Sequence, residues 1–481
     1  MSTPAKSKRQ KRLEQEIKRH LHSYSISQWL LAIVHQATAN PLEKAAATHF
    51  VMLYARPDEP RSELPRLMIS TKTANRLIGA CMRYRLADPI SSRRIAKSGS
   101  RAVMRRIAAS QIHYGFDPSH AFARAFCLWV VLAPKISKDR KLKFDFATAF
   151  TAAHGVSARD WLKVAMTISA ASTSNKTLSR GYFDIARSDG IELPKDSTVL
   201  TALRTIAATP GQFREYASNC VRPDRSYFAY DRDPLLQYPV CRLWEPESEL
   251  PEDDKLALTV PTLLAHRVTS GVRDSLKRQF GDLFSNYFGD LFGAYVGELL
   301  KNCRPDLTIY TEAELGRIVG ARTKRPDWLL RAPDCTISFE CKAAKLDPSV
   351  EMTGDLTDST VRRHVEKAAR QFVEFEDALP PNHDFASSER WRIIVTWDDL
   401  YMGRDELSRD FGVDMFALPI NKVEVLIGLM EVGEDPQVLM QEVGQHGIDA
   451  ALDNAIKRSE YCHGKTYLSR YSAMIFESLG F

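Results

Sequence analysis

Asp327, Glu340 and Lys342 are the residues whose types and spacing best suit chemistry. They stand in Arg325-Pro326-Asp327-Trp328-Leu329-Leu330, a turn around Ala332-Pro333-Asp334, and Ile337-Ser338-Phe339-Glu340-Cys341-Lys342. Two short apolar runs joined by so tight a turn predict a hairpin, which sets Asp327 and Glu340 near one another across it. Side chains alternate along a strand, so Glu340 and Lys342 share a face. Two carboxylates and an ammonium converge in this way, and such a set suits metal-assisted hydrolysis of a phosphodiester. Mg²⁺, or Mn²⁺ in its place, takes oxygen ligands and keeps some of its waters. Asp327, Glu340 and the backbone carbonyl of Cys341 are the expected ligands. Lys342 is expected to position the attacking water and offset charge building on the phosphorus oxygens.

The motif is cheap in its parts. Pro-Asp also occurs at 57–58, 223–224, 305–306 and 333–334, and an acid-x-Lys triplet at Glu16–Lys18, Asp139–Lys141 and Asp253–Lys255. Those triplets lie in polar surroundings without strand character, whereas apolar runs flank both halves of the 326–342 set. Spacing alone leaves open a solvent-facing hairpin with incidental acids.

The elements that must position these residues come next. Leu307–Tyr310, Trp328–Arg331, Thr336–Glu340 and Trp391–Trp397 read as strands. Between the last two, Ser359–Glu376 reads as a helix. Val365, Ala368, Phe372 and Phe375 share one face of it, with Arg363, Lys367, Arg370 and Glu374 opposite. Gln371 falls at the border, within reach of Lys342, and is expected to support it. Arg363 and Lys367, with Arg325 before the first acid, are candidate phosphate contacts; a solvated surface helix is the plainer alternative. Val260–Phe280 and Phe284–Asn302 read as further helices, and helices fill 421–479.

From about 22 to 215 the pattern is helical, as in Ser27–Gln36, Pro41–Tyr54, Ser119–Val131 and Ala158–Ala171. Glu245 to Asp254 then holds six acids in ten residues, with prolines, and reads as an extended linker. The expected organisation is a basic tail over 1–21, a helical domain over 22–240, an acidic linker over 241–258, and a mixed α/β domain over 259–481.

Residues 230–400 resemble the PD-(D/E)xK nuclease superfamily, the restriction-endonuclease-like fold. Pro326-Asp327 and Glu340-Cys341-Lys342 correspond to its core motif. Pro234-Leu-Leu-Gln-Tyr-Pro239, Gly289-Asp-Leu-Phe292-Gly293-Ala-Tyr295-Val296 and Lys367-Ala-Ala-Arg-Gln371 resemble stretches found in bacterial members. The resemblance implies a Mg²⁺-dependent nuclease with a central mixed sheet, and a role in restriction or anti-phage defence. It also exposes a departure. Where such members carry a glutamate that helps the metal site, this chain has Gly293, and neither Asp290 nor Glu298 is placed to replace it. A degenerate, non-catalytic module that binds nucleic acid or acts as a scaffold is therefore the rival expectation.

Charge supplies a second clue. The net of +6 over 481 residues conceals 21 Lys+Arg against 7 Asp+Glu in residues 1–110. Arg83, Arg85, Arg93, Arg94, Lys97, Arg101, Arg105 and Arg106 lie close together with only Asp88 opposing. Arg93, Arg94, Arg105 and Arg106 are the expected grip on a nucleic-acid backbone, DNA favoured over RNA. An acidic partner protein is the alternative, and the helical part is also where a second copy or a partner protein would dock.

Composition is ordinary for a globular protein, 44% hydrophobic and 26% charged, which excludes a mainly disordered or fibrous chain. The eight cysteines are scattered without metal-site or redox spacing. His463-Gly464-Lys465-Thr466 lacks the first glycine of a phosphate loop, since position 459 is Ser459. The longest apolar runs, Leu30–Val34 and Phe126–Pro134, fall short of the ~20 residues that cross a bilayer. No export signal follows the basic start, so the expected setting is cytoplasmic, with no membrane partner.

Overall fold

In the computed structural model the described residues are 8–36, 39–55, 69–86, 118–137, 144–174, 177–219, 234–243, 256–304, 306–345, 359–381, 383–387, 389–459 and 473. The expected grip residues Arg93, Arg94, Arg105 and Arg106 lie outside them, as does the acidic run.

The first part is helical, as its periodicity predicts. α1 (Lys8–Leu21), α2 (Ile26–Val34), α3 (Pro41–Tyr54) and α4 (Thr71–Leu86) pack together. α3 shows how the sequence starts a helix. Asn40 accepts from the Glu43 N–H, Glu43 reaches back to the Asn40 N–H, and Pro41 fills the first turn, where no N–H partner is needed. α5 (Pro118–Phe126), α6 (Phe146–His154), α7 (Ala158–Ser174), α8 (Arg180–Ser188), α9 (Asp196–Ile206) and α10 (Pro210–Asn219) follow.

Two short strands interrupt this helical part, β1 (Thr177–Leu178) and β2 (Ala207–Ala208). They join β3 (Val240–Arg242) and β4 (Leu256–Leu258) in a sheet of order β1-β4-β3-β2. Val240 lies opposite Leu258 and Arg242 opposite Leu256, so β3 and β4 form an antiparallel pair. Both ends of the expected linker at 241–258 are therefore strand rather than spacer. The prolines and acids that suggested a seam lie between two paired strands.

This sheet divides two apolar cores. Ala207, Val240, Leu256 and Leu258 face a core that runs from Phe122 to Ala455. Ala208, Cys241 and Ala257 face a second core, built on α1 to α4. The alternation is what pleating dictates for a sheet buried on both sides. Because the first core contains residues from both expected domains, the helical and α/β parts share one interior. Arg124 in α5 ties the two parts together through the buried Glu424 carboxylate, at 2.6 Å.

The second part is mixed. α11 (Pro261–His266) continues through a π-helical turn, Arg267–Gly271, into α12 (Val272–Lys301). Gly281, at φ 57°, kinks α12 where the sequence suggests one helix ending and another beginning. A π-helical turn at Cys127–Leu132 faces the other one, with the Trp129 indole donating to the Val268 carbonyl at 2.9 Å. After α12 come β5 (Thr308–Thr311), α13 (Glu312–Val319), β6 (Trp328–Arg331), β7 (Cys335–Lys342), α14 (Thr360–Asp377), β8 (Glu389–Thr396), α15 (Arg404–Phe411) and β9 (Phe416–Pro419). α16 (Ile420–Glu431), α17 (Pro436–His446) and α18 (Ile448–Arg458) follow.

The five strands run in the order β5-β6-β7-β8-β9. β5, β6 and β7 are antiparallel neighbours, and β7, β8 and β9 are parallel. Parallel neighbours need crossovers, which α14 and α15 supply. Both cover one face, where Val365, Phe372 and Leu407 pack on Ile394 and Ala417. The opposite face, with Phe339, Ile393 and Val395, packs against α12 and α16. Among the described residues no helix is long and apolar enough to cross a membrane.

Candidate active site

β6 and β7 put the expected acids side by side. Trp328 pairs with Phe339 and Leu329 with Ser338, so the next pair outward is Asp327 with Glu340. The turn closes with the Ala332 N–H donating to the Cys335 carbonyl at 2.9 Å. β6 stops at Trp328 while β7 runs on to Lys342, leaving Glu340, Cys341 and Lys342 beyond its end. The Cys341 N–H donates to Asp327 Oδ2 at 2.7 Å. A strand residue points its N–H and C=O to the same side, so the Cys341 carbonyl also faces the edge where Asp327 sits.

Two contacts hold β6 in place. On the α12 side, the Trp328 indole donates to the Gly293 carbonyl at 3.1 Å. Its ring lies so close to Gly297 that a Cβ there would come within 2.1 Å of it, so only glycine fits. Before Asp327, Arg325 folds back on its own loop. Its guanidinium donates to the carbonyls of Glu312, Ala321 and Thr323 and pairs with the Glu312 carboxylate at 3.4 Å. Arg325 thus shapes the loop, and its donors are turned to backbone rather than to a phosphate.

Glu340 is 1% exposed. Lys342 Nζ contacts its Oε1 and donates to Gln371 Oε1 at 3.1 Å. The Gln371 amide nitrogen donates to the Arg325 carbonyl at 3.2 Å, which fixes the amide with its oxygen toward the lysine. Gln371 therefore ties α14, the 325 loop and Lys342 together. Glu340 Oε2 is buried and has no hydrogen-bond partner. Such an orphan is costly unless something else occupies its lone pairs.

The electrostatics agree with that gap. Burial, then the neighbouring Asp327, pushes the Glu340 carboxyl up to about 7, against the opposing pull of Lys342. Burial also raises Asp327, although the Cys341 N–H and Lys342 favour its charged form. One lysine does not neutralise two buried acids, and a hard cation would. The Cys341 thiol is pushed well above its ordinary range by burial and both acids, so it is no thiolate ligand.

The oxygen donors and the orphaned Oε2 fit a Mg²⁺-sized ion, with its remaining positions left to water and substrate. They do not make a crowded site. Among the described residues no group of three or more His, Cys, Asp or Glu side chains converges. Gly293 adds no carboxylate, with open space where its Cβ would be. Glu298 pairs instead with Lys301 at 3.5 Å. Arg363 and Lys367 are exposed on α14, on the face away from the sheet.

A second charged cluster, not foreseen from sequence, holds the chain just past Lys342. Arg273 donates to the Ala343 carbonyl at 2.7 Å, and Lys345 to Asp274 Oδ2 at 2.7 Å. Burial works against the Asp274 charge, but Lys345 and Arg273 outweigh it and hold the carboxyl well below its usual range. Asp398, 7% exposed, lies in the field of the same two cations, and burial raises it. The N-terminal turn of α12 thereby grips the strand end that carries Lys342. The contacts join residues about seventy positions apart, beyond the reach of any local pattern.

No protein family, curated protein or solved structure matches the chain.

Proposed function

We propose that the chain is a Mg²⁺-dependent nuclease of PD-(D/E)xK type, acting on DNA in preference to RNA. The observation that carries the reading is the pairing of Asp327 with Glu340 at the end of β6, with Glu340 Oε2 buried and unpartnered. The five-stranded mixed sheet between helical layers is compatible with a restriction-endonuclease-like fold.

Asp327, Glu340 and the Cys341 carbonyl would hold the ion. When bound, it polarises the phosphate and lowers the pKa of a coordinated water. Lys342 stays on the acid face of β7, aimed by Gln371. There its ammonium orients the attacking water and offsets the charge gained by the phosphate oxygens. Gln371 acts through Lys342 and is a positioning residue. Arg363 and Lys367 supply an exposed basic stripe for backbone phosphates beside the site.

The second reading is a nuclease fold that binds nucleic acid without cutting it. Gly293 and the want of a third converging acid among the described residues favour it. Purified protein incubated with linear, circular and single-stranded DNA in Mg²⁺ separates the two. Cleavage that falls by about a hundredfold or more in Lys342→Ala, and likewise in Asp327→Ala, supports the enzyme. Binding without cleavage in the wild type supports the second reading.

A further inference from the structure

α14 and α15 enclose a cleft of about 460 Å³ along the flank of α14 that carries Arg362, Glu366, Arg370 and Val373. Val373 in its wall is 41% exposed, unusual for a valine on a helix whose other apolar residues are buried. Phe411 lines the opposite wall, with the Arg362 guanidinium over its ring at 5.1 Å. A rim of charged groups surrounds this apolar floor.

The signs of that rim decide what the cleft suits. Three carboxylates face two guanidinium groups, so the lining is slightly negative and repels a phosphate. Arg362 is engaged by Asp410 at 3.8 Å, and Glu374 by Lys324 at 2.7 Å. Glu366 and Arg370 stand one helical turn apart on the rim and form no ion pair with each other or with another described residue. An apolar floor with an acceptor and a donor fork at its edge matches a flat, uncharged heterocycle that carries donors and acceptors of its own. On a nucleic acid that group is the base. The phosphates have a separate place on the neighbouring stripe of α14, at Arg363 and Lys367.

The cleft and the acids flank α14 on different sides, with the stripe of Arg363 and Lys367 between them. Glu374 on its rim holds Lys324, three residues before Asp327, and Gln371 on the same helix turn holds Lys342. A strand crossing α14 over Arg363 and Lys367 would thus reach from a base in the cleft to a phosphate near the acids. A base inside a duplex is stacked and paired and does not reach such a cleft.

We infer that the cleft between α14 and α15 takes an unstacked nucleobase, which makes single-stranded or locally unpaired nucleic acid the preferred substrate. The inference rests on the nuclease reading for its substrate, but its test does not. Fluorescence anisotropy of the full chain in EDTA compares a labelled single-stranded DNA with an abasic strand of the same length. The expected result is binding of the intact strand about tenfold tighter than the abasic one, the size of one lost base-stacking contact. Val373→Asn, polar but uncharged, removes that advantage and leaves abasic binding unchanged; Val373→Ala, which keeps the wall apolar, retains most of it. A melting curve for each variant confirms folding. Equal binding of both strands, an unaltered preference in Val373→Asn, or no binding of either strand overturns the inference. Base-dependent binding without cleavage in Mg²⁺ would sink the nuclease reading and leave the cleft standing. Cleavage with base-independent binding would do the reverse.

Discussion

Two of the buried ion pairs among the described residues are built to opposite rules. Arg124 and Glu424 meet in the shared core, with Nε to Oε1 at 2.6 Å and Nη2 to Oε2 at 2.7 Å. Tyr295 donates its hydroxyl to the same Oε1 at 2.7 Å. Both carboxylate oxygens are satisfied, one charge answers one charge, and both side chains are at most 3% exposed. Lys342 and Glu340 form the other pair. There one ammonium answers two acids, and one carboxylate oxygen is left without a partner. A closed pair holds elements together; an open pair costs stability until something completes it. The contrast separates a structural joint from a site.

The first way to break the contrast is at the joint. Arg124→Ala leaves the Glu424 charge buried with only Tyr295 beside it, which costs about 3–5 kcal/mol. Because Arg124 lies in α5 and Glu424 in α16, chemical denaturation should show both parts losing stability in one transition. Unfolding of the helical part alone, with the sheet unaffected, would contradict a shared core.

At the open pair the sign reverses. The folded chain keeps Glu340 protonated up to about pH 7, against about 4.3 when unfolded. The contribution is therefore fully present below about pH 4 and lost as pH rises through about 7. Without a divalent ion, Glu340→Gln should stabilise the protein by about 1–3 kcal/mol at pH 8 and flatten this dependence. Melting temperatures across pH 5 to about 8 check it. A destabilised Glu340→Gln would mean that the carboxylate is a structural partner after all.

The smallest effect is expected at the grip on the strand end. Asp274→Asn leaves Lys345 a weaker acceptor and loosens the chain after Lys342. Cleavage should fall about tenfold through kcat, with KM unchanged, if Lys342 is displaced from its place beside Glu340. A loss confined to melting temperature would make the grip purely structural.

The candidate site was largely legible in the sequence because it is local. Asp327 and Glu340 face one another through a short turn, and Lys342 follows from period-two alternation. Gln371 is one helix away, and the amphipathic pattern of α14 fixes which face it borders. The mixed helix-and-sheet character and four of the five strands of the larger sheet were legible for the same reason. Boundaries shifted: β7 extends over Cys335–Lys342, longer than its apolar run suggests, and β9 had no forecast. What escaped is made of contacts remote in sequence. β1 and β2 are two residues each, too short to show alternation, yet with β3 and β4 they partition the cores. Arg124 and Glu424 are three hundred residues apart, and nothing near either announces the other. Arg325 misled for a related cause. A basic residue beside a candidate metal-binding acid reads as a phosphate contact until the carbonyls of its own loop are seen to take its donors.

The central claim is that the open pair is completed by a divalent cation. Titration calorimetry with Mn²⁺ at pH 8 tests it without any substrate. The wild-type chain should bind the ion, and binding should vanish in Asp327→Ala and drop about tenfold or more in Glu340→Gln, which keeps the shape but not the charge. No binding by the wild type, or equal binding by Asp327→Ala, would contradict it.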